Sequence, residues 1–292
     1  MNSIEPGISP ENWQEVNCVL CEAGGPLTVV WPDEAYGHLV QCDRCGLVFR
    51  SPRRTEDYLS REFTTHWTEA RQAFFLEDYR KRNLERIAHW ILKHQPNPGS
   101  ILDVGSSYGT LLELFPDSWR RFGIEPSSAA CQVARQRLPD AQIINSTLGE
   151  ASFPIGSFDI ITMVDTVYYL PYPLRDLARL RDLLRPGGLI LIEFPNFRNR
   201  GKVYRWMGHR FCETWMYFYT PATLEKMLYK TGLRVIAGFG LPGHQVGGQR
   251  LGAKLLTWSE FYLTEALAKI SGGRINLVPH FILVATATNH DG

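Results

Sequence analysis

The fold of this chain is decided by the stretch Ile101-Leu-Asp103-Val-Gly105-Ser-Ser-Tyr-Gly109-Thr-Leu-Leu112. An apolar run ends in an acidic residue and a glycine-rich turn, and an apolar-periodic segment follows. A second short apolar run then ends in Glu125, 22 positions after Asp103. This order predicts a βαβ unit that binds a nucleoside, because Gly105 and Gly109 let the backbone approach a ligand where a Cβ would collide. An acid ahead of the turn repels a phosphate, so the pattern favours a cationic ligand whose ribose hydroxyls donate to Glu125.

Two later segments extend the pattern. One reads Phe153-Pro-Ile-Gly-Ser-Phe-Asp159-Ile-Ile-Thr-Met-Val-Asp165, and the other reads Leu183-Leu-Arg-Pro186-Gly-Gly188-Leu-Ile-Leu-Ile-Glu193. With Asp103-Val-Gly-Ser-Ser-Tyr-Gly109, they resemble motif I, the fourth strand and the turn into the fifth strand of class I S-adenosylmethionine-dependent methyltransferases. The three matches occur in order over residues 99–196. The resemblance implies an α/β fold with a Rossmann-like, seven-stranded, mostly parallel sheet and helices on both faces.

The resemblance also implies S-adenosylmethionine as the cofactor and a set of residues that hold it. Asp103 would balance the charge of the cofactor, the glycine turn would line it, and Glu125 would bind the ribose. Many relatives carry an aspartate at the end of the third strand, whereas this chain has Asn145-Ser-Thr147 there. Adenine contacts are therefore expected from these side chains or the nearby backbone. The predicted cofactor residues are Asp103, Gly105, Ser106, Tyr108, Gly109, Glu125, Asn145 and Asp165.

The segment after the fourth predicted strand departs from the family pattern. Relatives in this branch often read L-E-H-x-x-D-P, and this chain reads Val167-Tyr168-Tyr169-Leu-Pro-Tyr-Pro173. The change removes the histidine expected to act as a base. A tyrosine with an ordinary pKa of about 10 is a poor base but a good hydrogen-bond donor. The remaining candidates for catalysis are Tyr168, Tyr169, Glu193 and His209, with Asp165 beside them.

Four of the six cysteines form two close pairs, Cys18-Val-Leu-Cys21 and Cys42-Asp-Arg-Cys45. Each pair presents two thiolates from one turn, and two such turns close a tetrahedron around Zn²⁺. The spacing is close to that of a zinc ribbon, with free or redox-active thiols as the alternative. Four cysteines leave no open coordination position, so the predicted zinc is structural. The other two cysteines, Cys131 and Cys212, are expected to pack as ordinary small residues.

Composition limits the classes of protein to which the chain can belong. Its 292 residues are 44% hydrophobic and carry a net charge of +1. A charge this small gives no overall positive potential that would point to nucleic acid or an anionic membrane as the partner. The start of the chain lacks the features of a signal peptide, and no apolar run approaches the length of a membrane span. Paired cysteines of the metal-binding type fit a reducing compartment. We expect a cytoplasmic protein.

The pattern along the chain predicts three parts. Residues 1–51 form a zinc-ribbon-like unit with a strand at Val29–Trp31, and 52–98 form a helical connector that stops at Pro96-Asn-Pro-Gly99. Residues 99–292 form the methyltransferase domain, with insertions at 197–219 and 241–279. A capped helix is predicted over Thr220–Gly232. The predicted strands of the domain are Ile101–Val104, Phe122–Glu125, Gln142–Asn145, Ile160–Val164, Leu189–Glu193, Arg234–Gly238 and His280–Ala287.

The first insertion is basic and aromatic. Its residues suit an anionic acceptor such as a sugar nucleotide, or stacked bases, and they equally suit a solvated basic loop over an aromatic core. They are Arg198, Arg200, Lys202, Arg205 and Arg210, with Tyr204, Trp206, Phe211, Trp215, Tyr217, Phe218 and Tyr219. The second insertion contains an amphipathic segment over 251–270 whose polar stripe is of mixed charge, which favours a lid or a homodimer helix over a membrane-surface helix.

Three functions remain open from the sequence. The N-terminal cysteine element resembles that of methyltransferases acting on sugars, glycans and specialised metabolites, which implies methyl transfer to a small-molecule or sugar acceptor. Some nucleotide-sugar C-methyltransferases share the element, but they usually carry a further large C-terminal domain that has no counterpart in this sequence, so O-methylation is expected over C-methylation. An RNA methyltransferase is the main alternative, since some rRNA enzymes also carry a zinc element. A non-catalytic scaffold that binds S-adenosylmethionine is the other, because the two tyrosines could mark lost chemistry.

Overall fold

The computed structural model describes residues 12–21, 24–65, 78–197, 214–241, 262–263, 266–267, 270 and 280–288. Its N-terminal part contains five short strands. They are β1 (Trp13–Gln14), β2 (Leu27–Trp31), β3 (Leu39–Cys42), β4 (Val48–Arg50) and β5 (Arg53–Arg54). Two helices follow, α1 (Glu56–Thr65) and α2 (Asp78–His94). Helix α2 ends just before the Pro96-Asn-Pro98 stop that the sequence predicts.

A seven-stranded sheet forms the centre of the molecule. Its strands lie in the order β12-β13-β10-β9-β6-β7-β8, and β13 is antiparallel to both of its neighbours while β8, β7, β6, β9 and β10 are parallel. The predicted mostly parallel, Rossmann-like sheet is confirmed. The strands are β6 (Ser100–Val104), β7 (Arg120–Glu125), β8 (Gln142–Asn145), β9 (Phe158–Val164), β10 (Leu184–Pro195), β12 (Leu233–Leu241) and β13 (His280–Ala287).

Helices cover both faces of this sheet because its strands alternate apolar side chains between two cores. One core joins Leu102, Ile161 and Ile192 to helices α4 (Pro173–Leu183) and α5 (Pro221–Lys230). The other joins Ile101, Ile160 and Leu191 to helices α2 and α3 (Ser128–Arg137). Residues one apart in a strand thus serve opposite layers, as expected for a parallel sheet buried on both sides.

Helix α5 begins and ends where its sequence predicts. Thr220 is the N-cap, and its side chain and that of Thr223 exchange hydrogen bonds with each other's backbone N–H in a capping box. After the helix, Gly232 takes a left-handed backbone with a φ of 76°. The connection from β6 to β7 differs from the helix expected in a βαβ unit, because it contains only a 3₁₀ turn at Leu112–Leu114. Pro116 follows closely and cannot continue a helix, so the glycine turn is left without a long crossover helix.

A second, four-stranded antiparallel sheet contains the predicted strand at Val29–Trp31 and joins the N-terminal part to the predicted insertion at 197–219. Its order is β11-β4-β3-β2, where β11 (Tyr217–Phe218) comes from that insertion. Phe49 pairs with Tyr217, and Val48 pairs with Phe218. The cysteine-containing unit therefore shares a sheet with a segment that follows β10. None of the helices in the described part of the chain has the length and apolar character that a membrane crossing requires.

Candidate active site

The glycine turn lies at the end of β6 and is held against β7 and the end of β9. The N–H groups of Gly105 and Ser106 both donate to the Ile124 carbonyl, at 2.8 and 3.0 Å. Gly105 has a φ of 77°, and a Cβ added there would lie 2.4 Å from Oγ1 of Thr166. Gly109 has a φ of 73°. Both glycines are required by the backbone, and Gly105 is also required by the close approach of Thr166.

Glu125 lies at the end of β7 with its carboxylate turned toward this turn. Oε2 accepts a hydrogen bond from the Ser107 N–H at 2.9 Å, and Oε1 accepts one from the Ser127 N–H at 2.8 Å. Each oxygen has a second acceptor site, so the carboxylate keeps capacity for two more donors. Asn145, at the end of β8, lies opposite Glu125 and donates from Nδ2 to the Glu125 and Pro126 carbonyls. These predicted residues thus meet at one edge of the sheet.

Asp103 and Glu125 are buried carboxyls of unusual pKa. Burial raises the pKa of Asp103 to about 7, although Oγ1 of Thr162 donates to its Oδ1 at 2.7 Å. Burial likewise raises the pKa of Glu125 to about 7, against the two backbone hydrogen bonds that lower it. Within the described residues, neither carboxyl forms an ion pair with Lys or Arg. A cationic ligand would therefore stabilise the ionised forms of both.

The other predicted residues of the turn are largely buried. Ser106 is 4% exposed, and its Oγ has no hydrogen-bond partner among the described residues. Oγ of Ser107, a residue with a φ of 49°, is also buried and has no partner in the part of the chain that the structure describes. Tyr108 is 3% exposed, and its carbonyl accepts a hydrogen bond from Arg137. Unpaired buried hydroxyls and left-handed backbone on one short turn are typical of a ligand-binding loop.

Tyr168 and Tyr169, which follow β9, are hydrogen-bonded to neighbouring side chains. The Tyr168 hydroxyl donates to Oδ1 of Asp165 at 3.1 Å, and its ring lies 4.6 Å from that of Trp215. The Tyr169 hydroxyl accepts a hydrogen bond from Nε1 of Trp215 at 3.1 Å. Tyr168 is 4% exposed. These contacts suit the tyrosines to orient Asp165 and Trp215 rather than to accept a proton.

A buried cluster joins the ends of three strands next to the glycine turn. Asp165, directly after β9, has a φ of 53°, and its N–H donates to Oε2 of Glu193 at 3.0 Å. Nδ1 of His280, the first residue of β13, is hydrogen-bonded to Oε1 of Glu193 and lies 3.9 Å from Oδ1 of Asp165. His280 is 5% exposed. Sequence reasoning found Glu193 and Asp165 but treated His280 only as the start of a strand.

The four paired cysteines meet as the sequence predicts. Cys18 Sγ lies 3.5 Å from Cys45 Sγ, and Cys42 Sγ lies 3.7 Å from Cys21 Sγ. All four sulfurs lie within 4.8 Å of one another. Tetrahedral Zn²⁺ with bonds of about 2.3 Å would place its sulfurs about 3.8 Å apart, so the cluster fits the ion. Burial raises the pKa of the Cys21 and Cys45 thiols to about 11, so a metal would have to displace their protons.

Buried arginines connect the cysteine unit to the segments that follow β9 and β10. Arg50, 2% exposed, donates from Nε to the Trp215 carbonyl and forms an ion pair with Asp33. Arg53 donates to the Tyr217 hydroxyl at 2.9 Å and to the Pro171 carbonyl at 3.2 Å. The unit is thereby tied to the segment that carries Tyr168 and Tyr169.

The last aromatic residues of the basic insertion are part of the core. Tyr217, Phe218 and Tyr219 are each at most 3% exposed, and the Tyr217 and Tyr219 rings stack 5.8 Å apart. For these residues, the interpretation as an aromatic core fits better than base stacking. His209, Cys212 and the arginines of the insertion lie outside the described residues. Of the segment 251–270, the structure describes only helical residues at 262–263, 266–267 and 270, and Tyr262, Leu263 and Ile270 are exposed.

The sequence matches the methyltransferase domain family over residues 75–237. The chain therefore belongs to this family, and the class predicted from the glycine turn and the two later motifs is confirmed. The trans-aconitate 2-methyltransferase of Rhodopseudomonas palustris (strain BisB18) is 28% identical over 131 residues, which cover 44% of this chain and 50% of that protein. The ubiquinone biosynthesis O-methyltransferase of Thiobacillus denitrificans is 26% identical over 160 residues, covering 49% of this chain and 68% of that one.

The chain spans about half the length of the trans-aconitate relatives that it matches. Among solved structures, magnesium protoporphyrin IX methyltransferase from Synechocystis PCC 6803, with bound S-adenosylhomocysteine, is similar with a TM-score of 0.57. The likeness covers 80% of this chain and all of that one at 11% identity. It establishes the shared fold.

Proposed function

We propose that this protein binds S-adenosylmethionine at the glycine turn and transfers the methyl group to an oxygen of a small-molecule or sugar acceptor. One observation carries the proposal. Two buried carboxyls, Asp103 and Glu125, flank a left-handed glycine turn and have no cationic partner among the described residues. S-adenosylmethionine supplies an activated methyl group on a cationic sulfur, which complements these charges.

The residues of the turn would bind and orient the cofactor. Glu125 would accept hydrogen bonds from the ribose, and Asp103 would offset the positive charge near the turn. Asn145 lies beside Glu125, where the adenine is expected. Since the methyl group is already activated, much of the catalysis would consist of positioning the acceptor and excluding water.

The acceptor would lie at the same edge of the sheet, beyond β9 and β10. Strands β10 and β12 end there at Pro195 and Leu241, and β13 begins there at His280. Both predicted insertions therefore connect to this edge. Ligands of open α/β sheets bind at the carboxyl ends of the strands, which supports the assignment. The name of the Thiobacillus relative, an O-methyltransferase, supports oxygen as the atom methylated.

The four cysteines would hold one structural Zn²⁺. Four sulfurs leave no position for substrate, so the ion would act by fixing the small sheet rather than by chemistry. Arg50 of this sheet donates to the Trp215 carbonyl, and Arg53 of β5 donates to the Tyr217 hydroxyl and the Pro171 carbonyl. The zinc unit would thus keep one wall of the acceptor site in place.

The affinity for S-adenosylmethionine is expected to rise as pH increases from 6 to 7.5. The cationic ligand requires ionised carboxylates, and a raised pKa keeps Asp103 and Glu125 protonated at the acid end of this range. With a pKa of about 7, each carboxyl is ionised in about one molecule in ten at pH 6 and in about three in four at pH 7.5. Calorimetric titration should show a gain of roughly eightfold for each carboxyl involved. Asp103→Asn should reduce the rise to the part that Glu125 contributes, and an affinity independent of pH in the unmodified protein would contradict the assignment.

The acceptor class is tested by methyl-label transfer from S-adenosylmethionine into fractionated cell extract. We expect the label in the small-molecule or glycan fraction, in the form of a methyl ether or ester. Heat-inactivated protein provides the control. Label found in RNA alone would reject the proposed acceptor and favour the RNA methyltransferase. Binding of the cofactor with no label in any fraction would favour the non-catalytic scaffold.

A further inference from the structure

We propose that His280 is the general base that takes the proton from the acceptor hydroxyl, and that Glu193 and Asp165 position it. The inference rests on the proposed function, because a hydroxyl acceptor carries a proton that must be removed during transfer. An oxygen nucleophile needs such a base. Tyr168 and Tyr169 stand where related sequences often have a Glu-His pair, and a tyrosine of ordinary pKa is a poor base.

The geometry of the cluster resembles that of a base with its orienting carboxylate. Oε1 of Glu193 is hydrogen-bonded to Nδ1 of His280, and Oε2 of the same carboxylate accepts from the Asp165 N–H. Glu193 is 2% exposed, and a hydrogen bond to each of its two oxygens holds the carboxylate in place. A carboxylate acceptor at Nδ1 fixes the neutral imidazole with its proton on Nδ1. The basic lone pair then lies on Nε2, the atom that would receive the acceptor proton.

The cluster adjoins the site proposed for the methyl donor. Thr166, the residue after Asp165, contacts the glycine turn so closely that a Cβ on Gly105 would collide with its Oγ1. The Asp165 side chain lies 3.9 Å from the His280 ring nitrogen. A chain of direct contacts thus runs from the donor turn through Thr166 and Asp165 to the imidazole. This is the arrangement that a base needs if it is to act on an acceptor placed against the methyl group.

The charges around His280 favour its protonated form once the proton has moved. From the described elements packed against it, Glu193 on β10 and Asp165 after β9 face the ring, and the Tyr168 hydroxyl donates to Asp165. Two carboxylates stabilise an imidazolium, as in other carboxylate–histidine pairs. Tyr168 would hold Asp165 in place, which gives the tyrosine substitution a positioning role.

The transfer step balances with these groups alone. A lone pair of the acceptor oxygen forms the bond to the methyl carbon while the carbon–sulfur bond of the donor breaks. The electron pair of that bond stays on sulfur, which becomes a neutral thioether. The hydroxyl proton passes to Nε2 of His280, and the imidazolium later releases it to water.

The proposal is tested with His280→Gln and with the exposed His89→Gln of α2 as the matched control. Using the extract fraction that accepts the label, we expect His280→Gln to lower kcat about 100-fold or more, in the range typical of lost general bases. Its affinity for S-adenosylmethionine should stay within about twofold, since Asp165 and Thr166 lie between His280 and the donor turn. The rise of kcat with pH in the range of a histidine should disappear. Glu193→Gln should lower kcat less and move the profile to lower pH, because the imidazolium loses its carboxylate.

A second measurement does not depend on activity. In protein labelled with ¹⁵N at histidine, and assigned by comparison with His280→Gln, Nδ1 of His280 should carry the proton and Nε2 should not. The opposite tautomer would overturn the proposal. So would wild-type kcat in His280→Gln, or a second bound metal equivalent lost in that variant, because the three side chains would then be ligands. If the unmodified protein transfers no methyl group, the proposed function fails, whereas an active His280→Gln variant rejects this inference alone.

Discussion

Replacing Cys42 with serine is expected to abolish zinc binding and to destabilise the protein strongly. Cys42 is fully buried at the end of β3, and its sulfur lies within the four-sulfur cluster. Loss of one thiolate opens a structural site, and the metal's binding energy is then lost from folding. We expect a loss of at least about 3 kcal/mol, which lowers Tm by about 6–12 °C for a chain of this size. Metal analysis should fall from one zinc per chain to none.

The matched control is Cys131→Ser, which makes the same chemical change at a buried cysteine outside the cluster. Its Sγ lies 3.2 Å from the Glu125 carbonyl, and a serine hydroxyl can keep that contact. Zinc content should be unchanged in the control. If Cys42→Ser retained a full equivalent of zinc and the same Tm as Cys131→Ser, the four cysteines would not form a structural metal site.

Substituting alanine for Gly105 is expected to abolish binding of S-adenosylmethionine. The residue has a φ of 77°, which costs an alanine about 1–2 kcal/mol. The new Cβ would also lie 2.4 Å from Oγ1 and 3.2 Å from Cβ of Thr166, so the turn or the residue must move. Since this collision would displace the turn proposed to hold the cofactor, we expect the affinity to fall at least about 100-fold, equivalent to about 2.7 kcal/mol. Calorimetry on the folded variant measures this directly.

The Gly156→Ala variant is the matched control, because it carries the cost of a left-handed backbone without a collision of the new Cβ. Gly156 has a similar φ of 66°, but a Cβ there meets nothing within 4 Å. The control should lose about the same conformational energy and keep its affinity for S-adenosylmethionine. Equal affinities of the Gly105→Ala variant and the unmodified protein would show that the turn does not bind the cofactor.

The central sheet could be predicted from sequence because each of its strands carries a local signal. Gln142–Asn145 and His280–Ala287 have the predicted bounds, since each is an apolar run bordered by polar or turn residues. Strand β10 begins at Leu184 instead of Leu189, because Leu184 pairs with Phe158 before a register shift. The α/β class and the methyltransferase family were predictable for the same reason, since strand-end motifs lie in fixed order along the chain.

The contacts between distant segments could not be read from the chain. Tyr217 pairs with Phe49 across the small sheet, and His280 meets Glu193 although 87 positions separate them. Neither contact leaves a periodic or spacing signal, because periodicity reports only which face of an element is buried. The best available signal for His280 was a titratable residue at the start of a predicted strand. The experiments described above test the roles proposed for the cofactor, catalytic and cysteine residues.

The central claim, that the turn from Asp103 to Gly109 binds S-adenosylmethionine with the help of Glu125, is tested most directly by calorimetric titration. At pH 7.5 the unmodified protein should bind one equivalent with a Kd in the micromolar range, roughly −8 kcal/mol. The Gly105→Ala variant should show no saturable heat at the same concentrations. No binding by the unmodified protein, or the same Kd in both proteins, would contradict the account.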